Sequence, residues 1–424
     1  SIKLMTADGI HPNDKGAARM AEAVRDVLKP RKQLYTPEDL RSMNLQSDTS
    51  LWSMKRSMET DDIILLWQRG FGSDPANPPM LEGKPMAFDA RLLRDKVQEF
   101  YDYFRDTLQF TTSTSKAERY KMMVMVNYSL DGTAYGGTYD NFIGALWVAP
   151  NRIQDKTMNC MAHELGHCFQ LQNMADSVSD CWGGSGFFEM TSQWMLWQVN
   201  PNWLRDENFH FEAFKKLTHK AFLHIDNIYH SPYVLQWWSD LHGKPSIARL
   251  YHNGKRGEDP VITYKRLYGL TQKQFCDEMF LGYQHLLNFD FQHARRETRP
   301  YACTFASTAA EAPGGWLMPK DTLEAYGVNA IPLDSLLSNG KAPKKLSLKL
   351  KGATDRLRYG FVAVTADGNS IYSPVNAKTF TPPASQTLTH LYLLVMAAPK
   401  QHEMLVWEGK PAQYPYQYSL TATY

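Results

Sequence analysis

Residues 158–173 read MNCMAHELGHCFQLQN and hold His163, Glu164 and His167 in the order H-E-x-x-H. In a helix, residues four apart share a face with Cβ atoms roughly 5–6 Å apart, so two imidazoles can grip one metal ion. Zinc–nitrogen bonds of about 2.0–2.1 Å need that convergence. Glu164, one position after the first imidazole, falls beside the metal, where a carboxylate can take a proton from bound water. The stretch lacks proline, its one glycine within the helix is Gly166, and Met161, Leu165 and Phe169 form an apolar stripe at spacing four. That pattern predicts a buried amphipathic helix over 158–171.

A catalytic zinc takes three protein ligands and leaves a fourth position open. After a polar, glycine-containing loop over 173–186, the chain enters FFEMTSQWMLWQV at 187–199, a helix apolar almost all round that carries Glu189 near its start. A carboxylate held among Phe187, Phe188, Met190 and Trp194 would cost several kcal/mol unless paired or metal-bound. Zinc is its natural partner, and the helix macrodipole offers a plainer reason for an acidic residue in a first turn. Gln193, one turn on, is placed to orient Glu189 or an imidazole by hydrogen bonding. Asp176 and Asp180, in the loop, compete for the third ligand position.

At 424 residues the chain can bury two or three cores, and 43% hydrophobic with 21% charged is the balance of a globular protein. A net charge of +2 gives no reason to invoke nucleic acid or an anionic membrane. No apolar run approaches the roughly 18–20 residues that span a bilayer. The chain starts at Ser1 with neither initiator Met nor signal peptide, which suggests processing or a fragment. Cys160, Cys168, Cys181, Cys276 and Cys303 are too few and scattered for a disulfide framework and are expected to be buried thiols.

Along the chain, residues 1–30 hold Asp8 and His11, followed by an amphipathic helix with Ala18, Ala21, Val24 and Leu28 on one side. Residues 31–50 read as a polar linker. A domain over 51–315 opens with a strand at 62–69, a helix at 89–108 and a strand at 120–128. The Gly- and Thr-rich stretch 132–140 reads as a loop, and a strand follows at 141–149. A turn at 221 onward leads into a Tyr- and Trp-rich helix, 264–288 is helical, and 288–304 is a polar closing segment. From 316 to 424 short β-branched runs at 346–350, 357–365, 370–375 and 389–396, with Asp367-Gly368-Asn369 as a hairpin signal, read as a β-sandwich. Its aromatics Tyr359, Phe361, Tyr392, Trp407, Tyr414 and Tyr416 are either core or a sugar-stacking face.

Two resemblances follow. The D-x-x-H pair Asp8 and His11 with its helix is similar to the last segment of SGNH (GDSL-type) esterases, in which such a pair activates a serine. No G-D-S block occurs in the chain, so 1–30 is expected to be the remnant of an upstream esterase domain. H-E-L-G-H followed by Glu189 resembles the H-E-x-G-H…E pattern of gluzincins, including mucin-targeting, enhancin-like metallopeptidases. DIILLWQRG at 62–70, GTAYGG at 132–137, HELGHCFQ at 163–170 and FFEMTSQW at 187–194 resemble, more closely, an uncharacterised gluzincin-like domain family of secreted bacterial proteins.

The resemblance implies an α+β zincin-like catalytic domain, with a mixed sheet and active-site helices, followed by an all-β sandwich. It implies Zn2+ on His163, His167 and Glu189, Glu164 as general base, and 141–149 as the edge strand that pairs with substrate. His230 and Tyr233 are the candidates to stabilise the oxyanion. The expected activity is peptide or glycopeptide hydrolysis on a protein, glycoprotein or glycan partner, by a protein that is secreted, periplasmic or at the bacterial cell surface. A glycan-associated hydrolase or esterase and a non-catalytic, zinc-stabilised glycan- or protein-binding module are the alternatives.

Overall fold

The computed structural model describes residues 6, 8, 11–28, 31–180, 182, 186–337, 342–404 and 411–424. Its N-terminal part is mixed α/β and its C-terminal part is all β. Strands β1 (Ser57–Glu59), β2 (Ile63–Trp67), β3 (Met122–Val126), β4 (Ala134–Tyr139) and β5 (Ile143–Val148) form one sheet in the order β1-β2-β3-β5-β4. β2, β3 and β5 are parallel neighbours, while β1 and β4 run antiparallel at the two edges. IILLW and MMVMV in β2 and β3 are buried at every position, as central strands covered on both faces require.

The edge is where structure and sequence reading part. The strand expected at 141–149 is β5, and it lies inside the sheet; the edge is β4, in the stretch expected to be a loop. Gly136 and Gly137 hid it, because glycine weakens a strand signal. The structure gives the reason for Gly136: a Cβ there would stand 1.9 Å from the Glu164 carbonyl oxygen.

Helix α1 (Asp14–Leu28) follows Asp8 and His11, whose side chains meet at 2.6 Å. Both are exposed, and so are Ala18, Ala21 and Val24, three of the four residues of the expected stripe. Residues 31–50 are no free linker. Lys32 is buried in an ion pair with Asp62 at 2.6 Å, Tyr35 stacks on Phe142 with ring centroids 4.3 Å apart, and Leu40 is buried.

Helix α2 (Ala90–Asp102) is capped by Asp89, whose Oδ1 accepts from the backbone N–H groups of Arg91 and Leu92, and buries Leu93, Val97, Phe100 and Tyr101. Helices α3 (Asn159–Ala175) and α4 (Gly186–Val199) carry the H-E-x-x-H residues and Glu189. Beyond them come α5 (Asn208–Leu217), α6 (Tyr233–His242), α7 (Ser246–Asn253), α8 (Pro260–Tyr268) and α9 (Gln272–Leu287). The segment expected as one helix over 264–288 is α8 and α9, separated at Gly269, which takes a left-handed φ of 64°. No helix among the described residues is long and apolar enough to cross a membrane.

The C-terminal part is a sandwich of two antiparallel sheets, with a further two-stranded pair formed by β8 (Leu323–Glu324) and β15 (Gln413–Tyr414). One contains β12 (Ser370–Tyr372), β11 (Leu357–Thr365), β14 (Leu388–Ala397) and β9 (Val328–Pro332) in that order. The other contains β13 (Thr379–Phe380), β10 (Lys345–Gly352), β16 (Tyr416–Thr423), β7 (Trp316–Pro319) and β6 (Ala309–Ala312). β11 is buried throughout because it serves two interfaces: Phe361 and Ala363 face the second sheet, while Val362 and Val364 join the core shared with the helices. Gln284 of α9 donates to the Phe361 and Ser373 carbonyls, tying helix to sandwich. Tyr359, Phe361, Tyr392, Tyr414 and Tyr416 are buried, so they offer no sugar-stacking face; Trp407 lies outside the described residues.

Candidate metal centre

Helix α3 has two working faces. Met161, Leu165 and Phe169 are buried against the core, with Phe169 packed on Tyr101 and Phe104. The opposite stripe, His163, Gly166, His167 and Gln170, follows helical spacing and faces Glu189, Ser192 and Gln193 of α4. Gly166 lets the helices meet, since a Cβ there would stand 2.8 Å from Ser192 Oγ. Glu189 lies one turn before Ser192, so this close approach delivers its carboxylate to the imidazoles.

His163 Nε2 lies 3.1 Å from Glu189 Oε2, His167 Nε2 lies 3.2 Å from the same oxygen, and the two Nε2 atoms are 3.1 Å apart. Tetrahedral ligands about 2.0–2.1 Å from a zinc stand roughly 3.3 Å from one another, so the triangle matches one face of such a shell. Among the described residues it is the one group of three or more His, Cys, Asp or Glu close enough to hold a metal ion.

The far sides of both imidazoles are fixed. Gln193 Nε2 donates to the Tyr229 carbonyl at 3.2 Å, which turns its Oε1 toward His163 Nδ1 at 3.0 Å. Gln170 Nε2 donates to the Phe188 carbonyl and to Ser192 Oγ, which turns its Oε1 toward His167 Nδ1 at 3.1 Å. Each Nδ1 therefore carries the proton, and each Nε2 presents a lone pair to the centre of the triangle. Such outer partners orient metal ligands.

Three electron-pair donors this close require a cation or a proton among them. Burial opposes charge on His163, yet hydrogen bonding to Glu189 and the charges of Glu164 and Glu189 lift its pKa above the ordinary value. Burial likewise opposes charge on Glu189, and the two imidazoles hold its carboxyl well below the usual range. The ligand side chains keep 13%, 12% and 25% of their surface, so the cluster opens to solvent on one side.

Glu164 is 9% exposed, and among the described residues its carboxylate has no hydrogen-bond or ion-pair partner. Its charge acts on both His163 and Tyr229. The competing carboxylates are engaged elsewhere. Asp176 accepts from the Lys116 backbone N–H and from Gln172, and Asp180 from the Arg256 backbone N–H.

The expected oxyanion residues do not meet the cluster directly. Tyr233 is buried among Trp197, Phe214 and Phe289, with no partner for its hydroxyl among the described residues. His230 Nδ1 meets His210 Nδ1 at 2.7 Å, and His210 Nε2 accepts from Gln193 at 2.9 Å. A hydrogen-bonded line thus runs from His163 through Gln193 and His210 to His230. The aromatic beside the cluster is Tyr229, next in sequence to His230. Its ring lies over His163 with centroids 6.2 Å apart, it is 40% exposed, and burial and the Glu189 carboxylate push its hydroxyl up to about 12. Nothing in the sequence decides which residue of Tyr229-His230 turns inward; Gln170, three residues after His167, was legible from helical spacing.

The four described thiols are no part of the centre. Cys168 and Cys276 are buried, Cys160 and Cys303 half-buried, all four are free, and Cys181 lies outside the described residues. Burial pushes Cys160 up to about 12.

A family profile matches residues 27–424, all but the N-terminal segment. The chain belongs to DUF6055, a family of unknown function. No curated protein matches this DUF6055 chain. Among solved structures, one titled "Crystal structure of accessory secretory protein 1,2 and 3 in Streptococcus pneumoniae" is similar at 11% identity, over 28% of this chain and 88% of that one. Its TM-score of 0.17 carries no argument about fold or function.

Proposed function

We propose that this DUF6055 chain is a zinc-dependent hydrolase of gluzincin type that cleaves peptide or glycopeptide bonds. The observation that carries the reading is the triangle of His163 Nε2, His167 Nε2 and Glu189 Oε2, with both imidazole tautomers set from behind by glutamine amides. Zinc bound there supplies a Lewis acid for a carbonyl oxygen and lowers the pKa of water.

The chain's own residues supply the rest. Glu164, without a partner among the described residues and next to the cluster, takes the proton of the attacking water and returns it to the leaving amine. Tyr229 keeps its phenolic proton at neutral pH and donates a hydrogen bond to the carbonyl oxygen as negative charge grows there. The outer edge of β4, anchored to the helix backbone at Gly136, takes an extended substrate segment as a further strand. A glycoprotein substrate would place the protein outside the cytoplasm.

The test is digestion of casein and a mucin-type glycoprotein by the zinc-loaded chain, read by mass spectrometry. Wild type is expected to release peptides, and Glu164→Gln to retain zinc while losing cleavage by about 10²-fold or more. A zinc-loaded wild-type chain inert on both substrates would overturn the peptidase reading in favour of a binding module.

A further inference from the structure

The second sheet of the sandwich turns one face to solvent, and strand register fixes what stands on it. Along β10, Leu346 and Leu348 point into the sandwich and are buried, while Lys345, Lys349 and Lys351 point outward and are exposed. Pairing carries the outward set across the sheet. Lys349 lies opposite Ser419 and Lys351 opposite Gln417 on β16, and Ser347 lies between Thr379 and Thr421. Since Tyr418 pairs with Leu317, Trp316 falls beside Ser419 on the same outward face. Lys351 Nζ stands 6.0 Å from the centroid of the Trp316 ring.

Two observations set this face apart from an ordinary solvated surface. Lys345, Lys349 and Lys351 have no ion-pair partner among the described residues, and no Asp or Glu occupies the outward positions just named, in a chain whose net charge is only +2. A half-buried indole also lies within the cationic stripe instead of in the core. Strand geometry spaces the backbone positions of the three lysines at roughly 13 Å and 7 Å along β10. The result is a solvent-facing sheet surface with three cations along one strand, one aromatic face, and a row of hydroxyls and an amide between.

We propose that this face binds an acidic polysaccharide. Carboxylates or sulfates recurring along the glycan pair with the lysines, a sugar ring stacks on Trp316, and sugar hydroxyls meet Ser347, Ser419 and Gln417. The same platform fits other polyanions less well. Duplex DNA is read by elements that enter its grooves, and single strands by several aromatic platforms along a groove, whereas this face is the side of a five-stranded sheet with one indole. Anionic membranes recruit clusters of about 4–8 basic residues with an apolar insertion, and here the centre is hydroxyl-lined.

The experiment titrates the full chain, with and without zinc, against heparin and polygalacturonate. Dextran serves as the neutral control, and a single-stranded oligonucleotide and phosphatidylserine vesicles as rival polyanions. Wild type is expected to bind at least one acidic polysaccharide and not dextran. Lys349→Gln with Lys351→Gln should lower the salt dependence of log Kd by about one unit per lysine. Trp316→Ala should weaken binding several-fold with the salt dependence unchanged. Lys345→Gln, on an exposed side chain, provides a readout should the Trp316 variant fail to fold. Absence of binding, binding indifferent to every variant, or tighter binding to the oligonucleotide or vesicles would overturn the proposal. No zinc ligand is touched, so the outcome is independent of the hydrolase reading.

Discussion

Gly136 on the edge strand and Glu164 on the helix that carries His163 and His167 are in backbone contact: a Cβ on Gly136 would lie 1.9 Å from the Glu164 carbonyl oxygen and 3.0 Å from its Cα. The obstacle is helix backbone, which cannot turn aside as a side chain can. Gly136→Ala should therefore cost about 3 kcal/mol by overpacking and shift β4 from α3. Gly137→Ala, one residue on, first meets the Tyr135 side chain at 3.1 Å and should cost less than about 1 kcal/mol. Urea unfolding of the two variants compares them directly, and equal losses would contradict the close-approach explanation.

Gln193 links His163 to His210, with its amide direction set by the Tyr229 carbonyl. Replacing it with Leu frees the His163 tautomer and should weaken zinc binding by about 10–100-fold. Gln193→Glu keeps an acceptor for Nδ1 and should retain much tighter binding than the Leu variant. Competition with a chelator of known affinity measures both. Like affinities for the Leu variant and wild type would remove Gln193 from the centre.

His210 supplies a pH dependence whose sign is fixed. Burial, then the neighbouring His230, lowers its pKa from 6.5 to about 3. A histidine depressed in the folded chain stays neutral while the unfolded chain takes up a proton. Stability is thus lost as pH falls below about 6.5, at about 1.4 kcal/mol per pH unit, and the loss levels off near 3. Between pH 7 and pH 5 wild type should lose about 2 kcal/mol more than His210→Gln. Unfolding at both pH values tests this, and parallel losses would contradict it.

Tyr229 and Tyr233 separate by role. Tyr229→Phe should lower kcat about 10–100-fold with KM little changed, because the hydroxyl is needed only as charge develops on the carbonyl. Tyr233→Phe should leave turnover unchanged and stability the same or slightly higher, since it removes a buried hydroxyl without a partner among the described residues. Steady-state kinetics on any cleaved substrate distinguish them, and a turnover loss in the Tyr233 variant would reverse the assignment.

What the sequence made legible follows from which contacts are local. His163 and His167 are one helical turn apart, so their convergence needs no tertiary information. Glu189 stood out because a carboxylate in an apolar helix needs a partner. β4 was illegible because Gly136 answers to a helix 28 positions later at Glu164, and alone Gly136-Gly137 reads as a turn. The segment 31–50 read as a linker because its anchors are Lys32, buried on Asp62, and Tyr35, stacked on Phe142, neither of which an apolar pattern reveals. Tyr229 sits in a loop whose course only the packed helices decide. The sandwich strands β10, β11, β12 and β14 alternated clearly enough to be read, whereas β6, β7, β9 and β16 were too short or too polar.

The central claim is that His163, His167 and Glu189 together hold one zinc ion. Elemental analysis of the purified chain after dialysis against metal-free buffer, beside His163→Ala and Glu189→Ala, tests it most directly. One zinc per wild-type chain and markedly less in both variants is the expected result, with circular dichroism confirming that the variants are folded. A folded wild-type chain that fails to retain zinc, or retains it equally after either substitution, would contradict the claim.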